Sequence, residues 1–119
     1  MNFIEKLSRL RASNEELLRF LRDSLLFRPK TIVDVGVAFG TPELYRTYPD
    51  CSFLLVEPVV EFEPYIREIV KKHNMVCFWG AASDQDGEID ICVTPDCTTT
   101  SILKPMNATA DAMYRTVPS

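Results

Sequence analysis

The stretch from Thr31 to Thr41, TIVDVGVAFGT, constrains the fold of this chain more than any other. Ile32 and Val33 belong to an apolar run that suits a buried strand. The chain then turns through Asp34, Gly36 and Gly40 and meets Thr41-Pro42-Glu43. Thr41 is a good helix N-cap and Pro42 a good first helical residue. The stretch therefore reads as strand, glycine turn, helix start. Such a turn aims backbone N–H groups and a helix dipole at whatever lies over the C-terminal end of the strand, and in open α/β sheets that is where ligands bind. A second apolar run, Phe53-Leu54-Leu55-Val56, ends in Glu57. A carboxylate there is placed to accept hydrogen bonds from two neighbouring hydroxyls.

The rest of the chain fits around this unit. Phe3, Ile4, Leu7 and Leu10 fall at helical spacing, and Ser13-Asn14-Glu15-Glu16 reads as a capping box that starts a second helix with Leu17, Leu18, Leu21 and Leu25 on its apolar face. These helices are expected to cover a sheet face. A short helix follows from Pro42 to about Thr47, then a strand from Cys51 to Val56. That strand lacks polar alternation, as a sheet buried on both faces requires. A helix is expected from about Phe62 to Lys72, with Pro64 in its first turn, then a strand from about Met75 to Ala82. Asp86-Gly87 is a hairpin signal, and Glu88–Val93 alternates as an antiparallel strand with one wetter face. Beyond Thr94 the pattern fades, and Asn107 is at most the cap of a weak helix from Ala108 to Arg115.

Composition narrows the function classes. The 119 residues suffice for one small domain. A net charge of −4 without a basic run gives no electrostatic pull toward nucleic acid or an anionic membrane. No apolar run approaches a membrane span, and Glu5, Lys6 and Arg9 interrupt the first ten residues, so no signal peptide is read there. Cys51, Cys77, Cys92 and Cys97 form no C-x-x-C pair and read as reduced thiols of a cytoplasmic protein, not as metal ligands. The lone His73 falls at a helix C-terminus, where a cation is favourable.

Four pieces, DVGVAFGT, FLLVEP, EPYIREIVKKHN and AASDQDGEIDICV, together resemble the S-adenosylmethionine (SAM) site of class I methyltransferases, and more specifically those of the FkbM type. The resemblance covers about the middle half of the chain. Ala38 stands where many methyltransferases have glycine. The implied fold is α/β: a partial Rossmann-like class I methyltransferase fold, with N-terminal helices over 1–30, a βαβαβ parallel core plus a hairpin strand over 31–93, and an irregular tail over 94–119 that leads into a second half the chain lacks. By this resemblance Asp34 holds the ammonium group of SAM, Gly36 and Gly40 admit its methionine part, Glu57 takes the ribose diol, and Ala82 and Ser83 flank the adenine.

Each residue also has a plainer reading. Asp34 can simply cap the turn, Glu57 can be a solvated strand end, and Ser83 and Asp84 can be turn formers. No catalytic base can be named, because in FkbM-type enzymes it is expected in the later strands. The resemblance implies O-methylation of a hydroxyl on a sugar or natural product, with this chain alone inactive and self-associating through an open sheet edge. The alternative is a non-catalytic Rossmann-like interaction or regulatory domain. A nicotinamide dinucleotide enzyme is disfavoured, because D-x-G-x-x-x-G lacks the tighter G-x-G-x-x-G turn.

Overall fold

A computed structural model describes residues 13–97, 100–101 and 113–119. The expected helix from Asn2 to Arg11 lies outside the described residues. The capping box forms as the sequence requires: Ser13 Oγ accepts from the Glu16 amide at 3.3 Å, and Glu16 Oε2 accepts from the Ser13 amide at 2.9 Å. It starts α1, Asn14–Asp23, which carries Glu15 and Glu16 in its first turn and Arg22 in its last, complementing the helix dipole. Leu18 reaches the core, whereas Leu17 and Leu25 are exposed. The element α1 packs against is the short helix α2, Pro42–Thr47, and not a sheet face.

The chain is mixed α/β. Strands β1 (Thr31–Val35), β2 (Ser52–Val56) and β3 (Met75–Phe78) form a parallel sheet in the order β1-β2-β3. The register pairs Ile32 with Phe53 and Asp34 with Leu55, then Phe53 with Met75 and Leu55 with Cys77. Helix α2 connects the first pair. A 3-10 turn, Val60–Phe62, and α3, Glu63–Lys72, connect the second. Pro64 falls in the first turn of α3, where its missing N–H costs nothing.

The register puts Ile32, Asp34, Phe53, Leu55, Met75 and Cys77 on one face. Tyr45 of α2 meets Phe53 edge-on at 5.2 Å, and Ile66 of α3 shares a core with Leu55. The opposite face differs from the sequence expectation of burial on both sides. Val33 is 56% exposed, Val35 57%, Val76 67% and Phe78 41%. No element among the described residues lies across them.

The strand expected to run to Ala82 is regular only to Phe78; the backbone stays bonded to the end of β2 through Gly80 and changes partner at Ala81. The Gly80 amide donates to the Glu57 carbonyl at 3.1 Å, and the Ala81 amide to the Pro118 carbonyl at 2.8 Å. Only glycine fits at position 80, since a Cβ there would stand 2.6 Å from the Pro118 carbonyl oxygen.

Strand β4, Glu88–Val93, is antiparallel as expected, but its partner is β5, Met113–Pro118, and not β3. The weak helix read to Arg115 is therefore replaced by strand over Met113–Arg115; residues 108–112 lie outside the described residues. Tyr114, Thr116 and Val117 favour strand once a partner is present. Ile91, Val93 and Val117 join the core that contains Leu55 and Ile66. Arg115 ties β5 to the 3-10 turn through Glu61, with Nη1 donating to Oε2 at 2.7 Å. No helix among the described residues is long and apolar enough to cross a membrane.

Candidate functional site

The C-terminal ends of β1, β2 and β3 meet at Glu57. Its amide donates to the Phe78 carbonyl at 3.1 Å and its carbonyl accepts from Gly80. The side chain turns inward and is only 3% exposed. One carboxylate oxygen, Oε2, accepts from the Ala38 amide at 2.8 Å, and the other, Oε1, from the Val59 amide at 2.9 Å. A buried carboxylate needs such donors, and two amides supply them. The bond to Ala38 fastens the end of β2 to the turn that follows β1.

That turn is built from left-handed residues. Gly36 has φ +73° and extends the sheet by donating to the Val56 carbonyl at 2.8 Å. A Cβ on Gly36 would meet nothing within 4 Å, so the space over this residue is open. Val37 is buried and anchors the turn in the core. Ala38 has φ +50°, and Gly40 (φ +101°) donates to the Val37 carbonyl at 2.8 Å. A Cβ on Gly40 would come within 2.6 Å of Ile69 Cδ1. Thr41 occupies the N-cap of α2 without a side-chain cap bond, and Pro42 opens the helix.

Asp34 lies on the helix-covered face. Its Oδ2 accepts from the Tyr45 hydroxyl at 2.9 Å. Burial pushes the Tyr45 phenol up to about 12, and the Asp34 carboxylate adds to the shift. Ala82 and Ser83 are exposed, and Ser83 Oγ accepts from the Gln85 amide at 3.2 Å, which makes Ser83 part of a local turn. Thus Gly36, Gly40 and Glu57 are joined through one loop, Asp34 reaches it by way of Tyr45, and Ala82 and Ser83 stand beyond Gly80 on the following segment.

Sequence reasoning missed Tyr45, Gly80 and the two amides that hold Glu57. Gly80 had a readable signal: a glycine at a strand end marks close backbone approach. The amides of Ala38 and Val59 had none, since they belong to the backbone. Phe39 was also missed. It is 57% exposed beside the turn and meets Phe62 edge-on at 5.1 Å and Tyr65 at 4.8 Å.

Clefts among the described residues are lined by other side chains: one of about 330 Å³ lies between α3 and β3, and two of about 230 and 270 Å³ share Pro29 and Tyr48. Comparison with protein-family models, with curated proteins and with solved structures returned no match.

Proposed function

We propose that the glycine turn and Glu57 form a binding site for SAM, and that the chain is the cofactor-binding N-terminal portion of an FkbM-type SAM-dependent methyltransferase acting on a hydroxyl of a sugar or natural product. The observation that carries this reading is the Ala38 amide bonded to Glu57 Oε2, which brings the end of β2 to the turn after β1. Glu57 would take the ribose diol; each of its oxygens keeps a further lone pair beyond the amide it already accepts. Gly36 would admit the methionine part, and the open space over it fits a ligand that approaches the backbone closely. Asp34 would hold the ammonium group, and Ala82 and Ser83 would flank the adenine. Glu57 is only 3% exposed, so the ribose reaches it only when the groups that cover it move aside.

The burial of Glu57 also favours a second reading. A carboxylate enclosed and bonded to two amides is a complete structural clamp, as a non-catalytic interaction or regulatory domain would need. Calorimetric titration with SAM and S-adenosylhomocysteine separates the two. Saturable binding that is lost in Gly36→Val while the variant stays folded supports the cofactor site. A folded wild-type chain that binds neither compound leaves the interaction domain.

A further inference from the structure

β3 is an edge strand among the described residues. Its ladder with β2 fixes which backbone groups are left over. The Phe53 amide donates to the Asn74 carbonyl, the Glu57 amide to Phe78 and the Gly80 amide to Glu57. In a parallel ladder this phase turns the Val76 and Phe78 amides toward β2 and the backbone groups of Cys77 and Trp79 outward. The Met75 carbonyl also points outward, whereas its amide donates to the His73 carbonyl at 3.0 Å. The free edge ends at Ala81, whose amide donates to the Pro118 carbonyl. No charge or proline within Met75–Phe78 protects it.

This edge is complementary to itself under a two-fold rotation about Cys77. An antiparallel copy sets Cys77 opposite Cys77, Val76 opposite Phe78 and Met75 opposite Trp79. The two Cys77 residues exchange both backbone bonds, and each Trp79 amide meets a Met75 carbonyl. Val76 and Phe78, exposed on the open face, become apolar cross-strand neighbours twice over. On the other face Glu63, Arg67 and Lys71 of α3 line the cleft beside Cys77 and Trp79. As the connection between two parallel strands, α3 runs opposite to β3, so the rotation sets Glu63 opposite Lys71 of the second copy. Arg67 donates to Glu63 Oε1 alone, which leaves Oε2. Lys71 Nζ donates to Glu68 Oε1 at 3.0 Å and keeps two further N–H groups. Arg67 meets its counterpart near the axis, each neutralised by its own Glu63. An unrelated strand could satisfy the backbone, but a second copy matches backbone, apolar pair and charge in one register.

We propose that β3 pairs antiparallel with β3 of a second copy, on a two-fold axis through Cys77, and so forms one six-stranded sheet across a homodimer. The interface is isologous, so association through it stops at two chains. It is separate from the β1 edge and from the glycine turn, and it stands whether or not the turn binds SAM.

The test uses the Val33→Lys background, in which the open face carries a charge. Sedimentation equilibrium should show a dimer. Glu63→Lys and Lys71→Glu should each sediment as monomers, because each sets like charges opposite one another at both flanks. An equimolar mixture of the two should recover the dimer, since opposite charges face each other again in the mixed pair. In the wild type, raising the protein concentration should slow hydrogen exchange at the Cys77 and Trp79 amides about tenfold or more. The proposal is overturned by a monomer in the Val33→Lys background, by either charge variant dimerising as well as its parent, or by a mixture that stays monomeric. Slowed exchange at Val33 and Val35 in place of Cys77 and Trp79 would also overturn it, by moving the pairing to β1.

Discussion

The Ala38 amide donates to Glu57 Oε2 at 2.8 Å and thereby joins two loops that leave neighbouring parallel strands. The same carboxylate takes the Val59 amide at 2.9 Å, so one acid sets the backbone on both sides of the sheet's C-terminal edge. Its position after a run of apolar residues makes it a buried charge, and the two amides are its solvent. Glu57→Ala would orphan both donors. Val59 is fully buried and Ala38 partly so. The expected loss is about 2–4 kcal/mol in urea denaturation. Glu57→Gln keeps one acceptor oxygen and should fall between the variant and the wild type. A Glu57→Ala chain as stable as the wild type would mean that the clamp contributes nothing.

Gly36 and Gly40 should respond differently to alanine. Gly36→Ala meets no neighbouring atom and bears only the strain of φ +73°, about 1–2 kcal/mol. Gly40→Ala bears similar strain and also a contact with Ile69 Cδ1 at 2.6 Å. Ile69→Val removes that atom. Denaturation of Gly40→Ala, Ile69→Val and the double variant should therefore give a favourable coupling, with the double variant more stable than the sum of the single losses. Simple additivity would show that Ile69 moves aside freely.

Alkaline pH should destabilise the fold through Tyr45 and Cys77. Burial raises the Tyr45 phenol from 10.0 to about 12. Burial, with the Glu57 carboxylate adding to it, raises the Cys77 thiol from 9.0 to about 11. In both cases the folded state holds its proton more tightly than the unfolded state. The stability this contributes is fully present below the unfolded values and is lost as pH rises through the folded ones. Thermal melts from pH 8 upward should show a decline beginning near pH 9, and Cys77→Ala should delay its onset. A decline identical in Cys77→Ala would exclude the thiol as its source.

The open face of the parallel sheet should drive self-association. Val33, Val35, Val76 and Phe78 lie together on it, and β1 offers an unpaired edge among the described residues. Edge strands are ordinarily protected by charge or proline, and β1 has only the inward-facing Asp34. Light scattering on a sizing column should show oligomers that diminish in Val33→Lys and Val76→Lys. A wild-type chain that stays monomeric at high concentration would contradict this.

The elements that the sequence made legible are those with local causes. Ser13 and Glu16 start α1, Pro42 opens α2, Pro64 falls in the first turn of α3, and Glu88–Val93 forms β4, although Cys92 is buried and the wetter face expected of that strand is confined to its first half. The glycine turn was legible for the same reason, since Gly36 and Gly40 both adopt positive φ. What was not legible depends on distant partners. Met113–Pro118 becomes strand only against β4, and the apolar run of β2 does not reveal that Val33, Val35 and Val76 beside it stay exposed. Glu57 was recognised as a site residue, yet its bonding partners are amides whose side chains carry no trace of the contact.

The pairing of β4 with β5 sets an order of assembly. The parallel sheet grows between neighbours in the chain, β1 onto β2 and β2 onto β3, each across a single helical connection. β5 instead pairs with a strand that ends twenty positions before it, and Ser101 between them already pairs with Cys92 of β4. Its anchors include Val117 in the core, Arg115 on Glu61 and the Pro118 carbonyl on Ala81. The β4–β5 ladder therefore forms on a long-range pairing, whereas the β1–β3 sheet forms between neighbours. The core that Ile91 and Val93 share with Leu55 and Ile66 is thus completed by residues more than twenty positions away from them in the chain.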